Sequence, residues 1–189
     1  PRDAQGVTLA GYPTMDGLRA ADVTLDGVIV GDDARIDGGL DALQHGIDHG
    51  IAALCAEAAG AMERLIEITA EYLRTRRQFG KPLGAFQALQ HRMADMLIEK
   101  ELALSMAYVA AQALDDADPR ERTRKLAAAK VMVAKAGRYV GQQAVQLHGG
   151  MGMTDELEVG DYFKRLTMFD PLFGDSDFHV ARYCAALAS

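Results

Sequence analysis

The sequence has no tryptophan, only two cysteines and only five prolines, and aromatic residues make up 6% of it. Cys55 and Cys184 have no metal-ligand spacing, so no thiolate metal site is expected. Both are read as reduced, buried thiols of a cytoplasmic protein. Basic side chains are in deficit: 20 Lys and Arg face 27 Asp and Glu, a net charge of -7. That balance argues against a nucleic-acid phosphate backbone as a partner. No apolar run is long enough to span a bilayer and no signal peptide is visible, so no membrane attachment is expected. What is present is an ordinary globular balance, 49% hydrophobic and 25% charged, with abundant alanine that favours helices.

Residues 1–37 differ from the rest. Val7-Thr8-Leu9, Ala20 to Leu25 and Val28-Ile29-Val30 are short β-type runs punctuated by Asp16-Gly17, Asp26-Gly27 and Gly31-Asp32. Three such strands make a poor domain alone. They are expected to be the end of a β domain whose earlier strands precede Pro1. From about Leu40 the apolar period becomes helical. Ile47, Ile51, Leu54, Ala58, Met62, Leu65, Thr69, Tyr72 and Leu73 share a face. A second helix is predicted from about Ala85 to Leu114, ended by Asp115-Asp116-Ala117-Asp118-Pro119, and a third from Arg120 to Leu147. Gly137 and Gly141 inside the third imply a close helix contact rather than a break. A shorter helix over 156–167 and a last one from Ser176 follow. Short connections make an antiparallel bundle the expected fold: mainly α, with residues 38–189 as the helical domain.

Two corners carry candidate chemistry. Between the first two helices, Arg76 stands near a helix C-terminus with Phe79, Gly80 and Gln87 close by. A cation, an aromatic face and an amide suit a planar, phosphate-bearing ligand; equally, Arg76 complements the helix dipole and Phe79 packs the turn. After the third helix comes Gln146-Leu147-His148-Gly149-Gly150-Met151-Gly152. Glycines let a backbone approach a ligand, or simply cap a helix. No strand precedes them, so this is not a dinucleotide fingerprint. His148 is read as structural.

Taken in order, Arg76-x-x-Phe79-Gly80 with Gln87, then Arg92-Met93-Ala94-Asp95-Met96, Ala129-Lys130 and Gln146-x-x-Gly149-Gly150 resemble the C-terminal helical domain of acyl-CoA dehydrogenases. The resemblance covers residues 38–189, and residues 1–37 look like the last strands of that family's middle β domain. It implies FAD, lying across a subunit interface. Arg76 and Gln87 would reach its pyrophosphate and adenine portion, with Phe79 offering an apolar face. Gln146, Gly149 and Gly150 would contact the same region from a neighbouring subunit, and Ser176 would supply a hydroxyl. The implied reaction is α,β-dehydrogenation of an acyl-CoA, with an electron-accepting flavoprotein downstream.

The family's base is a Glu just before the last helix, or in a minority on the first long helix. The matching positions here are Gly174 and Gly50, so no catalytic residue is expected in this chain. Asp48, Asp175 and Asp177 are nearby carboxylates, but a positioned base must reach its proton. Phe178 stands where a flavin-contacting Gln is expected. The stretches Gly150 to Leu157, Tyr162 to Thr167 and Phe173 to Asp177 look most like the small subunits of heteromeric bacterial acyl-CoA dehydrogenases of the pimeloyl-CoA and steroid side-chain type. The expectation is a heterotetrameric (α2β2) enzyme whose partner holds the base. The alternatives are a homotetramer using an unusual carboxylate and a flavin-free interaction module.

Overall fold

The computed structural model describes residues 1–188. A hairpin of β1 (Val7–Pro13) and β2 (Arg19–Leu25) precedes α1 (Gly39–Thr75). A two-residue hairpin, β3 (Arg77–Gln78) and β4 (Lys81–Pro82), leads to α2 (Gln87–Ala113). Then come α3 (Pro119–His148), α4 (Val159–Phe169) and α5 (Ser176–Ala188). Helices α1, α2 and α3 run antiparallel and pack on one another, α4 lies on α3 and α1, and α5 on α3. No helix among the described residues is long and apolar enough to cross a membrane.

The bundle forms because each helix offers an apolar stripe, and small residues set how closely the stripes meet. From α1 come Ile51, Cys55, Ala58, Met62 and Leu65; from α2 Met96, Ala103, Ala107 and Ala110; from α3 Leu126, Ala129, Val133, Val140 and Ala144. The α2–α3 seam is largely alanine, so the two backbones come close. Gly137 and Gly141 do the same for α4: a Cβ at either would lie 3.3 Å from Leu166 or 3.0 Å from Phe163. Helix α3 starts where the sequence signals a start. Pro119 occupies its first turn and the Asp118 side chain accepts from the Arg120 N–H at 2.9 Å.

Three expectations change. Val28-Ile29-Val30 is not a strand: among the described residues no strand pairs with it, and Ile29 is 95% exposed. Cys184 is exposed on α5; only Cys55 is buried, and burial pushes its thiol up to about 12. The fourth helix begins at Val159, the first fully buried apolar residue after the polar turn 154–158.

The β1–β2 hairpin touches the bundle through its turn. Arg165 of α4 pairs with Asp16 at 2.8 Å and makes a bidentate contact with Glu57 of α1. Asp16 also accepts from the Thr14 hydroxyl, and that bond, with the Arg165 contact, holds its carboxyl below the usual carboxylate range.

Candidate functional site

Helix α1 ends at Arg76, whose N–H bonds to the Tyr72 carbonyl at 2.8 Å and whose carbonyl accepts from Leu83 N–H at 2.8 Å. The β3–β4 turn needs positive φ at both central residues, and they are Phe79 (φ 53) and Gly80 (φ 81). A bulky side chain is rarely held there. Phe79 is 88% exposed, its ring perpendicular to that of Phe86, over which Lys81 lies 4.1 Å from the ring centroid. Gly84 lets the returning chain pass close over α1, since a Cβ would sit 3.2 Å from the Leu73 carbonyl.

This corner faces the end of α3 across a groove of about 420 Å³. Tyr72, Arg76, Arg92, Gln146, His148 and Gly149 are among the residues that line it. Two arginines line it and no carboxylate does. Arg92 donates to Gln143 at 3.2 Å, and the Arg76 guanidinium has no carboxylate partner among the described residues. On a chain of net charge -7 this is a local excess of positive charge. Gly149 and Gly150 have nothing within 4 Å of a would-be Cβ, so their backbone is open to a ligand. Guanidinium donors, exposed backbone and no competing acid fit a pyrophosphate group. By contrast, the groove of about 500 Å³ at the hairpin–bundle junction is lined by Asp16, Glu57 and Asp161 as well as Arg64 and Arg165.

The structure therefore brings Arg76, Gln146 and Gly149 together within one chain. Phe79, Gln87 and Gly150 are not part of the groove lining; all three are exposed at the same end of the bundle. Ser176 is elsewhere: its Oγ donates to Asp170 at 2.6 Å, beside the Lys130 level of α3. That level lies about 24 Å along the helix axis from Gln146.

This second locus is the α4–α5 corner. Lys130 is fully buried, and its ammonium donates to the carbonyls of Phe169 (3.0 Å), Asp170 (2.9 Å) and Gly174 (3.0 Å). Burial lowers its pKa, while the Asp170 charge opposes that. His179, also buried, bonds to the Phe173 carbonyl at 3.0 Å. Phe173 (φ 56) and Gly174 (φ 98) are held left-handed. A half-exposed ring lies over each of the two glycines that stand at the expected base positions. A Cβ on Gly50 would lie 2.8 Å from Phe173, and one on Gly174 would lie 2.3 Å from Phe178. Of the nearby carboxylates, Asp48 and Asp175 are otherwise engaged. Asp48 is buried and paired with Arg122 Nε at 3.1 Å, accepting also from Gln44 at 2.8 Å. Asp175 accepts from the Phe178 N–H at 2.8 Å in the first turn of α5, and Asp177 points from the same turn into solvent. Because the tip of the half-exposed Phe173 ring lies over Gly50, Gly50→Ala should displace that ring at a cost of about 1 kcal/mol or less. The cost should vanish in a Phe173→Ala background; thermal unfolding of the four proteins measures this, and an equal cost in both backgrounds would refute the contact.

Three residues of these loci do not announce a role in the sequence. Lys130 borders the apolar stripe of α3, and a lone charge there was a signal for a buried, satisfied cation. Arg92 is one of several charged residues on α2, with Asp95, Glu99, Lys100 and Glu101, and Phe173 sits in an irregular stretch with no periodicity to read.

Residues 37–187 match the family model described as acyl-CoA dehydrogenase, C-terminal domain. The chain belongs to the acyl-CoA dehydrogenase family. Acyl-CoA dehydrogenase IpdE2 of Mycobacterium tuberculosis is 40% identical over 112 residues, covering 59% of this chain and 33% of that protein. Among solved structures, the ChsE4-ChsE5 complex from Mycobacterium tuberculosis superposes over 100% of this chain and 50% of the matched chain, with TM-score 0.87 and 27% identity. An FAD-dependent dehydrogenase superposes with TM-score 0.87 and 30% identity, over 100% of this chain and 52% of that one. This acyl-CoA dehydrogenase chain thus spans a third of the length of IpdE2 and about half of each solved chain.

Proposed function

We propose that the chain belongs to a subunit of an FAD-dependent acyl-CoA dehydrogenase that desaturates an acyl-CoA thioester between its α and β carbons. In this reading it holds flavin and packs the oligomer while a second subunit supplies the base. The observation that carries the reading is the groove with Arg76 and Arg92, no carboxylate, and bare glycine backbone at its edge. Arg76 would pair with the pyrophosphate, Gln87 and Gln146 would offer amides, Gly149 and Gly150 a backbone without Cβ that a ligand can approach, and Phe79 an apolar surface. When bound, the flavin would supply hydride acceptance from the β carbon. Ser176 would retain only acceptor capacity toward a ligand, because its proton goes to Asp170.

The assignment of the base to a partner is supported by Gly50 and Gly174, each packed under a phenylalanine ring, and by the engaged state of Asp48. Likeness to the ChsE4-ChsE5 complex favours a heteromer, read here as α2β2. Residues 1–37 would be the end of the middle β domain, the enzyme would be cytoplasmic, and its electrons would pass to a second flavoprotein. The test is co-expression with a candidate partner. Arg76→Ala should lower FAD affinity roughly tenfold or more, since charge-assisted hydrogen bonds contribute about 1.5–3 kcal/mol. Unchanged flavin content by absorbance would remove Arg76 from the site. Dehydrogenation by this subunit alone would sink the shared-base reading.

A further inference from the structure

The first three turns of α1 carry His45 and His49, both exposed and four residues apart on one helix face. Their rings meet edge to face, with centroids 4.5 Å apart and planes at 69°. Nδ1 of His49 lies 2.9 Å from the His45 carbonyl. A carbonyl only accepts, so Nδ1 carries the proton and Nε2 keeps a free lone pair. The same bond fixes the orientation of the ring, which is how metal-binding histidines are usually held. Among the described residues, neither Nε2 of His49 nor either ring nitrogen of His45 has a hydrogen-bond partner. A Cβ on Gly46, which follows His45, would meet nothing within 4 Å, so the approach is open.

Two imidazoles four residues apart on a helix are the pair with which zinc-binding helices hold their ion. Rings this close can each place a nitrogen at the about 2.0–2.1 Å that zinc requires. The hydrolytic part of that motif is absent: Gly46 stands where a metalloprotease helix has its Glu, so the pair has no general base beside it. No group of three or more metal-ligating side chains occurs among the described residues, so water completes the coordination. Asp48, in the same turn, is taken by Arg122 and Gln44. Asp41 stands two turns before His49, about 12 Å along the axis, too far to share its ion. Imidazoles without a carboxylate favour a late first-row cation over Mg²⁺ or Ca²⁺. We infer that His45 and His49 form a two-histidine clip for a divalent transition-metal ion of the zinc or copper kind, seated in the turn of α1 that leads into Gly50. The clip owes nothing to the arginine groove, which lies at the far end of the same helix. Its ion ties together the turn over which the Phe173 ring lies.

The experiment titrates the assembled protein with Zn²⁺, Cu²⁺ or Mg²⁺ by calorimetry and repeats the titrations on His45→Gln, His49→Gln and the double substitution. Both residues are exposed, so these changes leave the fold intact. Zn²⁺ should bind at one ion per chain, Cu²⁺ more tightly, and Mg²⁺ should displace neither. Chelation needs both rings, so either single substitution should weaken Zn²⁺ roughly tenfold or more, and the double substitution should add little to that. The electron paramagnetic resonance spectrum of bound Cu²⁺ should show two coupled nitrogens, and one in each single variant. Zn²⁺ should slow amide exchange over residues 45–50 in the unsubstituted protein alone. Acidification to about pH 5.5 should release the ion, because protons compete for the imidazole lone pairs. A mere halving of affinity by each single substitution is the mark of two independent rings and overturns the inference. Zn²⁺ binding indifferent to both histidines, Mg²⁺ binding as tight as Zn²⁺, or no Zn²⁺ binding at all overturns it as well. None of these outcomes touches the flavin reading, which stands or falls on Arg76.

Discussion

Lys130→Met lowers the melting temperature by roughly 10 °C and speeds amide exchange across residues 169–178; that is the expected result at the α4–α5 corner. The ammonium has three protons and the corner supplies three carbonyls within 3.0 Å, so every donor is used. Methionine matches the length of the stem but leaves those carbonyls without their donor. Leaving a buried carbonyl without its donor costs about 1–3 kcal/mol, and three lose theirs here. For a chain of this size each kcal/mol moves the transition by about 2–4 °C. Arginine should not rescue, because its planar fork cannot point three donors at carbonyls converging on one nitrogen. Unchanged exchange at 169–178 would show that Phe173 and Gly174 keep their left-handed backbone without the clamp.

The second large effect lies at the same end of the bundle, two residues from Gly50 on α1. Arg122→Ala strands the Asp48 carboxylate, whose side chain is only 2% exposed. Gln44 remains as a neutral donor, which does not balance the charge. Arg122 also bonds the Asp116 carbonyl at 3.3 Å, so the α2–α3 connection loosens with it. The expected loss is again about 3–5 kcal/mol by denaturant unfolding. The double change Asp48→Leu with Arg122→Met should recover most of it, because removing both charges removes the desolvation cost as well. If the single substitution is silent, water reaches Asp48 and the pair is not a structural anchor.

Much of the helical fold was legible in the residue pattern, for reasons visible in particular elements. Helices α1 and α3 carry long one-sided stripes, and Pro119 after Asp118 marks a start that the backbone obeys. Helix α2 was harder. Leu97, Ile98, Leu102 and Tyr108 are exposed and apolar, so its outer face resembles its inner one. The strand misassignment at Val28-Ile29-Val30 arose because β-branched composition says nothing about whether a partner strand exists. At the groove, Arg76, Gln146 and Gly149 could be paired only through the ordered motif set, since nothing local links positions so far apart. Arg92 needed coordinates, because its meaning depends on what is missing around it. The same holds for Phe173: no spacing rule connects it to Gly50.

Helix α1 is unbroken from Gly39 to Thr75 and so links both loci on one shaft. Gly50, under the Phe173 ring, and Tyr72, on the wall of the arginine groove, are separated by six turns or so of regular helix, about 33 Å. A single residue added between them would turn one locus by about 100° relative to the other and push it about 1.5 Å further away. The helix therefore acts as a gauge, holding angle and distance between the two loci at once. Length changes that the polar turn at 154–158 could absorb would, inside α1, put the two loci out of phase.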